Sequence, residues 1–171
     1  MSKIKVIQGD ITALNVDAIV NAANKSLLGG GGVDGAIHRA AGPDLLAECR
    51  TLHGCCVGEA KITNAYKLPC KKIIHTVGPV WLGGKMHEQE KLTSCYHSII
   101  ELAKTYGIHS IAIPCISTGV YHFPKDLAAK IAIKTLNKEI SNGFIGEITI
   151  CCFDTENLSI YKKLIELYGT E

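Results

Sequence analysis

Short apolar runs alternate with amphipathic segments along this chain, and that alternation restricts the fold more than any single residue does. The runs at Lys5–Gln8, Ala18–Asn21, Ala60–Asn64, Lys72–Thr76, Ser110–Pro114 and Glu147–Phe153 are rich in Ile, Val, Thr and Cys. Several are continuously apolar, as strands covered on both faces are. Helical patterns occupy Gly35–Ala41, Pro43–Thr51, Glu88–Tyr106, Pro124–Glu139 and Glu156–Tyr168. Leu92, Tyr96, Ile99, Ile100 and Ala103 recur at helical spacing, as do Leu127, Ala128, Ile131, Ala132 and Thr135. Pro124 suits the first turn of its helix and Gly107 the end of another. Strands interleaved with helices predict an α/β protein, a three-layer α/β/α domain with a mostly parallel sheet. The length of 171 residues fits one domain over 1–171.

The net charge of +2 gives no support to a nucleic-acid partner. No apolar run approaches the roughly 20 residues of a membrane span. The start, Met1-Ser2-Lys3-Ile4, passes directly into a strand pattern without the apolar stretch of a signal peptide, so a cytoplasmic protein is expected. The eight cysteines form no C-x-x-C pair and no zinc-finger spacing with histidine. Most lie inside apolar runs, where a thiol packs as a small hydrophobe. No metal is expected.

In sheets of this kind ligands collect at the carboxyl ends of strands, so the loops there carry the functional signal. After the first strand comes Gly9-Asp10-Ile11-Thr12; Asp10 suits either an exocyclic amine such as that of adenine or a turn cap. After the second comes Asn21-Ala22-Ala23-Asn24, then the run Gly29 to Gly32, then Val33-Asp34-Gly35. Four consecutive glycines are costly to order, and they make sense where backbone N–H groups must approach a ligand closely. The helix beginning there favours anions. Asp34, beside bound phosphates, would have a raised pKa and would suit water activation; a simple helix cap is the alternative. Asn24 offers a donor and an acceptor to sugar hydroxyls.

After the fifth strand comes Ser117-Thr118-Gly119-Val120-Tyr121-His122-Phe123-Pro124, a second loop rich in hydroxyl and backbone donors. Two anion-friendly loops on one sheet edge point to a diphosphate ligand. Phe153, at the end of the last strand, suits stacking on a base or plugging the core. Trp81 is explained by packing as well as by function, and His38 suggests no chemistry of its own. Gly30-x-Gly32-x-x-Gly35 also fits the dinucleotide fingerprint, but the glycines do not follow the strand directly and no acidic residue ends a strand about 20 residues on.

These motifs together, Gly9-Asp10-Ile11-Thr12, Asn21-Ala22-Ala23-Asn24, Gly29 to Gly42, His75 to Trp81 and Ser117 to Tyr121, resemble macrodomains of the MacroD type. The resemblance spans nearly the whole chain. It implies a macrodomain fold with a mixed, mostly parallel six-stranded sheet. It implies a monomer that binds ADP-ribose without a cofactor, removes ADP-ribose from Asp and Glu side chains of mono-ADP-ribosylated proteins, and deacetylates O-acetyl-ADP-ribose. A non-catalytic ADP-ribose reader, or a hydrolase of ADP-ribosylated nucleic acid, are the alternatives. By resemblance, Asp10 would hold the adenine amine with Ile11 beside it, and Phe153 would pack on the ring. Asn21 and Ala23 fall in the binding motif. Asn24 would bind the distal ribose, with Gly31, Gly32 and Val33 lining the ribose and phosphate region. Asp34 would orient or deprotonate the attacking water. Ser117, Thr118, Gly119, Val120 and Tyr121 would wrap the pyrophosphate. Asn24 and Asp34 are thus the catalytic candidates. The family commonly has glycine where this chain has His122.

Overall fold

A computed structural model describes residues 3–168; Met1 and Ser2 lie outside the described residues. In chain order the elements are β1 (Lys3–Gln8), a 3₁₀ turn (Ile11–Ala13), β2 (Ala18–Ala22), α1 (Gly32–Ala41) and α2 (Pro43–Arg50). Then follow β3 (Ala60–Asn64), β4 (Lys72–Thr76), α3 (Glu88–Thr105), β5 (Ser110–Ile113), α4 (Lys125–Ser141), β6 (Glu147–Cys152) and α5 (Thr155–Tyr168). All six expected strands and all five helices form, within a few residues at their ends. The 3₁₀ turn went unread, because three residues carry no periodicity.

The strands make one mixed sheet in the order β1-β6-β5-β2-β4-β3. Every pairing is parallel except that of β3 with β4. Side chains alternate across each strand, and the two faces bury two separate cores. On one face Ala18, Val20, Ile74, Ile111, Ile113, Ile148 and Ile150 pack with α3, α4 and α5 residues such as Tyr96, Ile99, Ala132 and Tyr161. On the other, Ile19, Ile73, Ala112 and Cys151 pack with Ile37, Ala41 and Leu45 of α1 and α2. The result is the three-layer arrangement that the alternation of patterns requires.

Six of the eight cysteines are buried. Burial pushes the thiols of Cys49, Cys55 and Cys151 up to about 11, so they stay protonated and pack as apolar groups. Among the described residues no helix is long and apolar enough to cross a membrane.

Because β1, β6, β5, β2 and β4 all run the same way, their carboxyl ends share one edge. The loops after Gln8, Ala22, Thr76, Ile113 and Cys152 therefore converge there, although they are far apart in the chain.

Candidate active site

Asp10 caps the 3₁₀ turn: its Oδ1 accepts from the backbone N–H of Thr12 at 2.9 Å and from the Thr12 hydroxyl at 2.6 Å. The Thr12 hydroxyl and then its N–H hold the carboxyl below the usual aspartate range. The cap reading is thus realised, with the carboxylate ionised at the sheet edge. Ile11 buries its side chain in the core, which leaves its main chain as the part available to a ligand.

The loop after β2 is tied by its own side chains. Asn24 donates from Nδ2 to the Gly29 carbonyl at 2.8 Å and accepts from the Ser26 hydroxyl at 2.6 Å. Ala23 is buried and gives its N–H to the Thr76 carbonyl. Helix α1 begins at Gly32, three residues earlier than its sequence pattern suggested, with Gly31 as an N-cap that offers no side-chain bond. Its first-turn N–H groups, including those of Val33 and Asp34, have no acceptor within the helix. Gly31 and Gly32 are exposed, and a Cβ on either would meet nothing within 4 Å. The glycine run therefore presents bare backbone to open space.

The earlier helix start moves Asp34 off the helix terminus and into the first turn, where it is buried. Its Oδ1 accepts from Asn21 Nδ2 at 2.9 Å. His38, one turn on, sets Nε2 3.4 Å from the same oxygen but is not aligned for a hydrogen bond. Burial raises the Asp34 pKa, against smaller opposing effects of the Asn21 bond and His38. The other oxygen, Oδ2, lies 3.2 Å from where a Cβ on Gly30 would stand, and Asn24 Nδ2 lies 3.4 Å from that point. The two catalytic candidates thus converge on Gly30. His38 was missed as a neighbour of Asp34, although its i,i+4 spacing on one helix face was there to be read.

Asn21 corrects the sequence reading. The shared motif puts it among the ligand contacts, but its side chain is fully buried and its amide is committed to Asp34 and to His75 Nδ1, 3.0 Å away. A parallel strand interior covered by α1 leaves it no route to solvent.

In the second loop, Ser117 and His122 both adopt positive φ, +66° and +58°. His122 N–H closes the turn onto the Gly119 carbonyl at 3.0 Å, and Phe123 N–H onto that of Ser117 at 2.9 Å. The left-handed position explains why glycine suits residue 122, and histidine there carries backbone strain. The Ser117 hydroxyl is buried with no hydrogen-bond partner, and Thr118 donates its own to the Cys115 carbonyl at 3.1 Å. Neither hydroxyl projects freely, so the exposed Gly119–Val120 backbone is the loop's offering. Tyr121 is half-buried and accepts through its carbonyl from Trp81 N–H at 2.8 Å, fastening this loop to the one after β4. Trp81 itself packs against Phe123, ring centroids 4.8 Å apart.

A cleft of about 560 Å³ opens beside Asn24, between Val77, Gly78, Val80 and Tyr121. Its far wall, the segment after Trp81, hangs on Glu88, whose carboxylate accepts from the N–H groups of Leu82, Gly84 and Met86. Desolvation opposes the charge, but these bonds together outweigh it and hold the pKa at about 2. Phe153 does not plug the core: it is 91% exposed, at the same edge as Asp10. Among the described residues one group, His97, Glu101 and Glu139, brings possible metal ligands within 4.8 Å of one another. It sits on α3 and α4, and Lys104 lies 3.6 and 3.8 Å from the two carboxylates, supplying the cation there.

The macro domain family model matches residues 20–132. A macro domain-containing protein of Mesorhizobium japonicum is 56% identical over 166 residues, covering 96% of this chain and 94% of that protein. Human "ADP-ribose glycohydrolase MACROD2" is 54% identical over 164 residues, covering 94% of this chain but only 39% of that protein. The Trypanosoma brucei macrodomain solved in complex with ADP-ribose superposes with a TM-score of 0.89 at 44% identity, covering 95% of this chain and 69% of that one.

Proposed function

The chain belongs to the macro domain family, and from that premise we propose that it binds ADP-ribose and hydrolyses ester-linked ADP-ribose. The substrates are ADP-ribosyl esters of Asp and Glu in proteins, and O-acetyl-ADP-ribose. The observation that carries this reading is the convergence of Asn24 and a desolvated Asp34 carboxylate on Gly30, beside unfilled helix N–H groups. The name of the human relative, an ADP-ribose glycohydrolase, and the ligand of the trypanosome structure support it.

In this reading the adenine amine donates to Asp10 while the exposed Phe153 ring covers the base. The pyrophosphate lies between the α1 amino terminus and the Gly119–Tyr121 backbone, where N–H groups and the helix dipole balance its charge. Asn24 fixes the distal ribose. Water then enters between the ribose and Asp34 Oδ2, and its proton passes to that carboxylate. For an Asp or Glu ester, water oxygen bonds to the ribose anomeric carbon as the ester C–O bond breaks. The side-chain carboxylate leaves as a stable anion and needs no proton. For an O-acetyl ester, water adds to the acetyl carbonyl, and the departing ribose oxygen takes back a proton as acetate forms.

The test incubates the protein with a glutamate-ADP-ribosylated protein, with O-acetyl-ADP-ribose and with an arginine-linked conjugate, and measures release. Both esters should turn over while the arginine glycoside stays intact. Calorimetry with ADP-ribose should give micromolar to submillimolar affinity, about −5 to −8 kcal/mol. Binding without release from either ester would make the chain a reader of ADP-ribose and sink the hydrolase reading.

A further inference from the structure

We propose that His75 and Thr63 are positioning residues for Asp34: a buried hydrogen-bond chain Thr63–His75–Asn21–Asp34 holds the Asn21 amide in the one orientation that donates to the carboxylate. The inference rests on the reading above, in which Asp34 handles the water.

The strand register assembles the chain. Asn21 and His75 are direct partners in the parallel pair of β2 and β4. Asn21 follows Val20 of one core, and His75 follows Ile74 of the same core, so both turn to the other face, toward α1. On β3, His75 pairs with Lys61, which places Thr63 diagonally next to it. Thr63, His75 and Asn21 are all at most 2% exposed.

The protons can be traced in only one direction. Thr63 Oγ1 lies 3.0 Å from the Asn64 carbonyl, which can only accept, so the hydroxyl proton is committed there. Thr63 Oγ1 must then accept from His75 Nε2, 2.9 Å away. Burial keeps the imidazole neutral, with its pKa pushed down to about 3, so a proton on Nε2 leaves Nδ1 as a bare lone pair. That lone pair faces Asn21 Nδ2 at 3.0 Å, and the second amide hydrogen reaches Asp34 Oδ1 at 2.9 Å. A flipped amide would set its oxygen against both the lone pair and the carboxylate. The arrangement leaves Asn21 Oδ1 buried without a partner. An orphaned acceptor of this kind is costly, and its neighbours on the other side of the amide dictate it. One oxygen of Asp34 is thereby pinned, and Oδ2 is left facing Gly30.

Four measurements test the chain. His75→Leu removes both ring contacts, and kcat should fall about ten- to hundredfold. KM and ADP-ribose affinity should stay within about twofold. His75→Asn places an amide oxygen where Nδ1 stood and should recover most of kcat; it also carries the comparison if His75→Leu fails to fold. Histidine ¹⁵N NMR should show His75 as the neutral Nε2–H tautomer, and Thr63→Val should admit the Nδ1–H form. The Asn21 amide hydrogens should resist exchange in the wild type and lose that resistance in His75→Leu. Wild-type kcat in His75→Leu, equal losses in the Leu and Asn variants, or an Nδ1–H tautomer in the wild type would overturn the proposal. Should the wild type bind ADP-ribose yet cleave no ester, the function reading fails alone. The tautomer and the exchange of the Asn21 amide then still decide the chain.

Discussion

Gly35→Ala separates stability from function at this site. Gly35 sits in the first full turn of α1, beneath the glycine run, and its φ is not positive, so alanine suits its backbone. A Cβ there would stand 2.5 Å from the Gly30 carbonyl oxygen, whereas ordinary contact begins at 3.4 Å. Relief needs 0.9 Å of movement, the difference of those two distances. The Arg39 guanidinium, 3.0 Å away, is the end of a flexible side chain and can move aside. The Gly30 backbone cannot move without leaving Asp34 and Asn24. In a helix alanine gains about 1 kcal/mol over glycine. Overpacking costs about 1 to 3 kcal/mol. The net loss is therefore at most about 2 kcal/mol, a fall in melting temperature of under about 8 °C for a chain of this size. Catalytic groups displaced by nearly 1 Å lose about 100-fold in rate. Single-turnover release of ADP-ribose from a glutamate ester, run beside calorimetric melting, should show that large loss of rate with a folded protein. Wild-type turnover with a raised melting temperature would refute the reasoning, because the Gly30 backbone would then be free to yield without consequence.

Asp10→Ala should weaken ADP-ribose binding by about 1.5 to 3 kcal/mol, the worth of a hydrogen bond to a charged group, and relax the preference for adenine over hypoxanthine; equal, unchanged affinities in calorimetry would leave Asp10 as a cap alone. His122→Gly should remove the strain of φ +58° and stabilise the fold by up to about 1 kcal/mol after the entropy cost of glycine, read as a shift in urea midpoint; destabilisation would mean the imidazole makes a contact that outweighs the strain. Asp34 has a folded pKa above its unfolded one, so its charge weakens the fold at neutral pH, and that penalty is lifted as pH falls through the folded pKa. Asp34→Asn should accordingly melt higher at neutral pH while losing at least about 100-fold in turnover, and the acid limb of the wild-type rate profile should lie above the ordinary aspartate range. An acid limb that survives in Asp34→Asn would assign it to another group.

The layers, the strands and the loops at the carboxyl edge were legible in the sequence because each rests on local pattern: period, composition and the residues that follow a strand. The proximity of Asn24 and Asp34, the proposed catalytic pair, was legible for a similar reason, since both lie in one continuous segment around the glycines. Two features were not. Where α1 begins depends on whether Gly32 to Asp34 can curl into helix, and glycine has too little preference for a pattern to decide it. That choice matters, because a start at Gly35 would have left Asp34 as an exposed cap, whereas a start at Gly32 turns it inward and desolvates it. The second feature is what stands behind Asp34. Asn21 shares a motif with Asn24, which suggests a ligand contact, but alternation along β2 turns its side chain to the face that α1 covers. There it meets His75 only through the parallel register of β2 with β4, and His75 in turn meets Thr63 only through the antiparallel register of β3 with β4. Register is a property of two strands and of everything packed on them, so neither strand's own sequence announces it. The hydrogen bonds that fix the Asp34 carboxylate are consequently written in three strands at once, while the exposed residues of the carboxyl edge are written in the loops.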